Sequence, residues 1–176
     1  RDRPFFLYLS HTIPHPPITL PEQFQDSDRP LYDCAIEYMD QQIGVLLEEL
    51  QRAGLRENTL VVVSSDNGPM HRDGSPGVLR GRIGTSLEGG VRVPLVANWP
   101  GRIPSGRVVD TPAIAYDIFP TLVRLAGGEL ADDRTYDGQD IWPLLTGECE
   151  AEFARQKPSF WAFGDRFTAL RDGPWK

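Results

Sequence analysis

The sequence predicts an α/β fold with a mainly parallel sheet flanked by helices. Three stretches carry that expectation: a short aromatic and apolar run at Phe5–Ser10, an amphipathic stretch over residues 30–53, and an unbroken β-branched run at Thr59–Ser64. Strand, long helix, strand is the order of a βαβ crossover. A β-branched run without alternation is what a strand covered on both faces looks like.

Each element has a local reason. After Phe5–Ser10, the run Thr12-Ile13-Pro14-His15-Pro16-Pro17 carries three prolines, which forbid helix and stiffen an extended loop. From Pro30 to Ala53, apolar residues recur at Ile36, Met39, Ile43, Leu46, Leu47 and Leu50, steps of three and four that share one helical face. Asp28 is the expected N-cap and Gly54 the expected stop. Residues 65–90 are rich in Gly, Ser, Asp and Arg and read as a long loop of the functional kind. Pro94–Trp99 restores a strand, which Pro100-Gly101 ends. A second helix is expected over Ala115–Ala126, packing on the sheet through Ile118, Leu122 and Leu125 and closed by Gly127-Gly128. Pro158–Phe163 reads as a further strand, and Phe167–Lys176 as a strand and turn with nothing to pair with.

Composition narrows the function. The 176 residues hold 18 Lys+Arg against 25 Asp+Glu, a net charge of −7 with no basic cluster, so no nucleic acid partner is expected. No apolar run approaches the roughly 20 residues that span a bilayer. Cys34 and Cys149 match no zinc or CxxC spacing and read as buried free thiols. The chain opens on Arg1, and no signal-peptide pattern precedes its first strand. An internal fragment of a longer protein is therefore expected.

Three places hold residues suited to chemistry. Asp66-Asn67-Gly68 follows the β-branched run, at the carboxyl end of a strand where ligands gather in open α/β sheets. A carboxylate beside a carboxamide offers hard oxygens for Ca²⁺ or Mg²⁺, yet Asp-Asn-Gly is equally a good turn, and spacing alone leaves both readings open. His15 sits on the proline-stiffened loop, placed either to hand a proton to a leaving oxygen or simply to face water. Arg80 and Arg82 stand among glycines just before Glu88-Gly89-Gly90, able to fork onto a tetrahedral anion or to remain a solvated basic loop.

Taken in order, these places resemble the sulfatase family of the alkaline-phosphatase-like superfamily, with arylsulfatase-like enzymes as the nearest group. The resemblance rests on the collinear set Phe5–Ser10 with Pro14-His15-Pro16, Val62–Pro69, Glu88–Pro94, Trp99–Gly106, Asp117–Leu122, Asp137–Ile141 and Leu170–Lys176. It implies a partial alkaline-phosphatase-like sandwich: residues 1–148 as the C-terminal half of a sulfatase catalytic domain, and 149–176 as the start of a small, truncated C-terminal region. It implies a hydrolase that cleaves sulfate monoesters, with Asp66 and Asn67 as metal ligands, usually for Ca²⁺, and His15 as the catalytic histidine at the leaving oxygen. The substrate would be a sulfated small molecule or sulfated glycan, and the setting periplasmic, secreted or lysosomal.

Two departures from the family pattern stand out. The nucleophile is a formylglycine made from Cys or Ser in a Cys-x-Pro/Ala-x-Arg context, which neither Cys34-Ala35-Ile36-Glu37-Tyr38 nor Cys149-Glu150-Ala151-Glu152-Phe153 provides. It is expected upstream with the missing N-terminal half, and the fragment alone is expected to be inactive. The family lysine that reaches the sulfate falls on Ile83; either Arg82, one residue away, supplies the charge in its place, or the parent is a weakened or altered-specificity enzyme. A phosphomonoester or phosphodiester hydrolase of the same superfamily, or a non-catalytic binder of sulfated glycans, are the alternative readings. Asp66 and Asn67 are expected near His15.

Overall fold

The structure, a computed structural model, describes residues 3–26, 28–148, 153 and 155–176. It divides into two compact units, one of residues 1–56 with 69–75 and one of residues 57–68 with 76–176.

The first unit is built on α1 (Leu31–Arg52). The predicted helix is present, but its N-cap is Pro30, not Asp28, whose N–H turns back to Asp26 Oδ1 at 2.9 Å. At the other end Gly54 takes φ +67°, the left-handed position where a side chain would be strained. The buried core of this unit is Leu20, Cys34 and Ala35, with Ile13, Ile18, Phe24 and Tyr38 packed against it. Phe24 and Tyr38 rings lie 4.6 Å apart. Segment 13–24 therefore folds onto the amino-terminal half of α1. Cys34 is a buried free thiol as expected, and Cys149 lies outside the described residues.

The expected strand at Phe5–Ser10 does not form a ladder. A strand needs a neighbour's backbone groups, and none among the described residues supplies them, so Phe5 to Leu9 form no regular element and all five side chains are exposed. The βαβ unit expected from it is likewise not closed.

Among its described residues the second unit holds two small antiparallel sheets, so the expected mainly parallel sheet is not seen there. Strands β1 (Val61–Ser64) and β2 (Leu95–Asn98) pair antiparallel, Val62 opposite Ala97 and Ser64 opposite Leu95. With a single neighbour the valines of β1 are half-buried rather than covered on both faces. One face of this ribbon, with Leu60, Val62, Leu95 and Ala97, shares a small apolar gap with Ile118, Leu122, Ile141 and Leu145. The other face leaves Val96 exposed. The second helix forms as a 3-10 turn, Ala115–Asp117, running into α3 (Ile118–Leu125), and its Ile118 and Leu122 meet the ribbon as the spacing predicts. Gly127-Gly128 closes it, with the Gly128 N–H on the Val123 carbonyl at 2.9 Å.

A buried carboxylate ties this unit together. Asp117 is fully buried and accepts the N–H groups of Ile114 at 2.8 Å and Gln139 at 3.0 Å and both terminal nitrogens of Arg155 at 2.6 and 3.0 Å. Thr121 donates to the Asp117 carbonyl at 2.7 Å and accepts the Ile141 N–H at 3.0 Å, which seats α4 (Trp142–Thr146) against α3. Finally β3 (Ser159–Phe163) and β4 (Arg166–Arg171) form a hairpin with a register shift at Trp161/Ala162. The closing strand thus has a partner, contrary to expectation, because the Gly164 turn at φ +61° folds it back onto its predecessor. Among the described residues no helix is long and apolar enough to cross a membrane.

Candidate active site

Three glycines shape the site in the second unit. Asp66-Asn67-Gly68 leaves the end of β1 as a turn: the Ser65 hydroxyl donates to the Asn67 carbonyl at 3.1 Å, and Asp66 Oδ1 accepts the Asn67 N–H at 2.9 Å. The Gly68 N–H then donates to the Gly90 carbonyl at 2.9 Å. Gly89 and Gly90 belong to the short turn of helix α2 (Glu88–Val91), and both are buried. A Cβ on Gly68 would drive into the Gly89 backbone, its carbonyl carbon only 2.9 Å away. On the opposite side the Gly89 N–H donates to the Arg80 carbonyl at 2.7 Å, and a Cβ there would meet that oxygen at 2.9 Å and the Gly81 carbonyl nearer still. A Cβ on Gly90 would overlap the carbonyls of Arg82 and Thr85. Three backbone layers therefore stack with no room for a side chain between them.

The layering brings together two of the places read from the sequence. Asp66 and Asn67 stand on one side of Gly89-Gly90, and the segment carrying Arg82 and Ile83 lies on the other. That segment is itself closed by Thr85, whose N–H and hydroxyl both reach the Arg82 carbonyl at 3.1 and 2.8 Å. Arg82 and Ile83 are half-buried. The turn reading and the ligand reading of Asp-Asn-Gly are thus compatible, because the turn is what presents the two side chains.

The donor set suits a hard cation. Asp66 is exposed, and its Oδ2 has no hydrogen bond among the described residues; with the Asn67 carboxamide it offers two oxygen donors. Among the described residues no cluster of three or more His, Cys, Asp or Glu could hold a metal ion. Since Ca²⁺ takes about 6–8 oxygens, Asp66 and Asn67 are two of several donors such an ion needs.

His15 belongs to the first unit. Its N–H donates to the Thr12 carbonyl at 3.0 Å, and its ring Nδ1 lies 2.7 Å from the Pro16 carbonyl. A carbonyl only accepts, so Nδ1 carries the proton and Nε2 is the atom turned to other partners. Ile13 and Ile18, on either side of the loop, pack into the α1 core and anchor it.

One residue beside the glycine stack carried no sequence signal as an anchor. Glu88 opens α2, and its Oε1 accepts Arg171 Nη2 at 2.8 Å and Lys176 Nζ at 2.7 Å. Burial pushes its carboxyl up, but the hydrogen bonds from Lys176 and Arg171 outweigh that and hold it below the usual carboxylate range. Both cations lie more than eighty residues away in sequence, so neither periodicity nor spacing could pair them.

Comparison with known proteins agrees with this architecture. The family profile described as Sulfatase matches residues 1–128. Steryl-sulfatase of Rattus norvegicus is 42% identical over 161 residues, 85% of this chain and 28% of that protein. Arylsulfatase A of Homo sapiens is 41% identical over 152 residues, covering 84% of this chain and 30% of its own length. The chain thus spans less than a third of these curated relatives. Among solved structures, Ps i-CgsB in complex with k-i-k-neocarrahexaose superposes with a TM-score of 0.86 at 28% identity, over 98% of this chain and 40% of that one. The PsFucS1 sulfatase from Pseudoalteromonas sp. gives 0.68 at 36% identity over 81% of this chain and 29% of its own. With most of its length matched by the family profile, the chain belongs to the sulfatase family.

Proposed function

We propose that the complete protein hydrolyses sulfate monoesters, with Asp66 and Asn67 among the ligands of a divalent cation, Ca²⁺ before Mg²⁺, and His15 at the leaving oxygen. The observation that carries the reading is the glycine stack, which fixes the Asp66-Asn67 turn beyond β1 and seats the Arg82–Ile83 segment on its other side. In that reading β1 joins a larger, mainly parallel sheet in the complete domain, residues 1–148 form the later half of the catalytic domain, and 149–176 open the C-terminal region. The formylglycine nucleophile and the remaining metal ligands come from outside these 176 residues. Substrates are sulfated small molecules, as the names of the curated relatives suggest, or sulfated glycans, as the oligosaccharide complex of Ps i-CgsB suggests.

The chain's own residues divide the work. Asp66 and Asn67 bring oxygen donors, and the bound cation supplies Lewis-acid withdrawal of charge from the sulfuryl oxygens. His15, its Nδ1–H engaged by Pro16, keeps Nε2 for the substrate. Protonated, Nε2–H donates to the ester oxygen as the S–O bond breaks and the alcohol leaves; neutral, the same atom accepts a proton from the next nucleophile. Ile83, in place of a lysine, lowers the positive charge offered to the anion. A sulfate monoester, with one negative charge fewer than a phosphate monoester dianion, tolerates that loss better.

The test is kcat/KM of the complete protein on 4-nitrophenyl sulfate and 4-nitrophenyl phosphate, with and without a chelator. Preferential sulfate ester hydrolysis that falls on chelation is expected. A phosphate preference, or tight binding of a sulfated ligand without turnover, overturns the proposal in favour of a phosphohydrolase or a non-catalytic binder.

A further inference from the structure

The C-terminal hairpin is clamped to the segment that leads into the glycine stack. Arg171 and Lys176 share one oxygen of Glu88, at 2.8 and 2.7 Å. The Lys176 ammonium also sits 4.4 Å from the centre of the Trp161 ring. Two residues before Glu88, the Ser86 hydroxyl bonds Thr168 Oγ1, which in turn donates to the Trp161 carbonyl at 2.9 Å. These contacts tie β4 and Lys176 directly to residues 86–88, and β3 follows through Trp161. Glu88 is followed at once by Gly89 and Gly90, whose backbones carry the Asp66-Asn67 turn on one side and the 80–85 segment on the other. The side chains of Arg171 and Lys176 are only 21% and 16% exposed, so these charges are more strongly coupled than an open surface pair.

We infer that Glu88, held by Arg171 and Lys176, is a positioning residue that fixes the glycine stack and through it the Asp66-Asn67 turn and the Arg82–Ile83 segment. The inference rests on the proposed sulfatase reading of that site. The C-terminal hairpin becomes a brace for the site rather than an appendage, and Glu88 need touch no substrate to matter for turnover.

Amide hydrogen exchange in the complete protein tests the brace without relying on activity. In Glu88→Gln, exchange at the Gly68, Thr85 and Gly89 amides should rise about tenfold while amides within α1 stay at wild-type rates. Unchanged exchange at those three, or an equal rise everywhere, overturns the inference. Kinetics on 4-nitrophenyl sulfate give the second arm: Glu88→Gln should lower kcat about tenfold or more with KM little changed. Lys176→Met should have a smaller effect, which Lys176→Arg restores, and the double variant should be no worse than Glu88→Gln alone. Wild-type kcat in Glu88→Gln, or effects that multiply, would show the clamp to be stabilising only. If Glu88→Gln does not accumulate, the Lys176 pair decides alone, rescue by Arg supporting the brace and absence of rescue overturning it. An intact protein that turns over no sulfate ester contradicts the sulfatase reading and leaves the exchange result to judge the brace.

Discussion

The His15 loop and the glycine stack reach fixed shapes by opposite means. The loop over residues 13–24 is held by what its side chains fill: Ile13, Ile18, Leu20 and Phe24 pack against Cys34, Ala35 and Tyr38 of α1. The stack is held by what is missing, since Gly68, Gly89 and Gly90 let three backbones approach too closely for any Cβ. The first region therefore fails when something is taken away and the second when something is added. At Gly68, Gly89 and Gly90 it is space, not chemistry, that dictates the residue.

That contrast ranks the expected effects. Gly89→Ala forces a methyl against the carbonyls of Arg80 and Gly81, backbone atoms with no freedom to step aside, and should cost about 3–4 kcal/mol in chemical denaturation of the complete protein. A cost under about 1 kcal/mol would mean the layers can separate. Leu20→Ala, in the side-chain-filled region, should cost about 2–3 kcal/mol, near the low end for buried leucine because its core is small and partly open. Ile83→Lys should raise kcat/KM on an aryl sulfate about tenfold, roughly 1.4 kcal/mol of transition-state stabilisation. No gain would show that the missing lysine does not limit the enzyme.

A pH scan probes the charge that braces the stack. Glu88 has its folded-state pKa lowered, so its ionised form stabilises the protein above the unfolded value of 4.5 and that contribution is lost as pH falls through the folded pKa. The melting temperature should drop below pH 4.5 by more in wild type than in Glu88→Gln; equal slopes would remove Glu88 from the account. The smallest effect is a control of opposite sign. Gly44 lies within α1 with nothing near its missing Cβ, so Gly44→Ala should stabilise by about 0.5–1 kcal/mol through helix propensity alone.

What the sequence made legible were features written locally. The three-and-four spacing of α1, its Gly54 stop, the β-branched run of β1 and the Gly127-Gly128 closure all depend on neighbours a few residues apart, and each appears where expected. The candidate pair Asp66-Asn67 and the Arg82–Ile83 segment were legible through their motifs, and the structure adds that one pair of glycines supports both. Partner choice was not legible. The β-branched run signals a strand but not its orientation, and β1 met β2 antiparallel. The aromatic run at Phe5–Leu9 signals a strand but not a neighbour. Asp117 with Arg155, and Glu88 with Arg171 and Lys176, join residues 38 to 88 positions apart, and charge alone gives no hint of such pairings.

The central claim is that the turn beyond β1 serves sulfate ester hydrolysis through Asp66. Sulfate release from 4-nitrophenyl sulfate by the complete protein, wild type against Asp66→Ala, addresses it directly. Removing a cation ligand that stabilises developing charge should cut kcat/KM by about a thousandfold while the protein stays folded, because Asp66 is exposed and its hydrogen bonds are local. An Asp66→Ala protein that keeps its rate within about twofold would contradict the account, since no such ligand is dispensable to that degree.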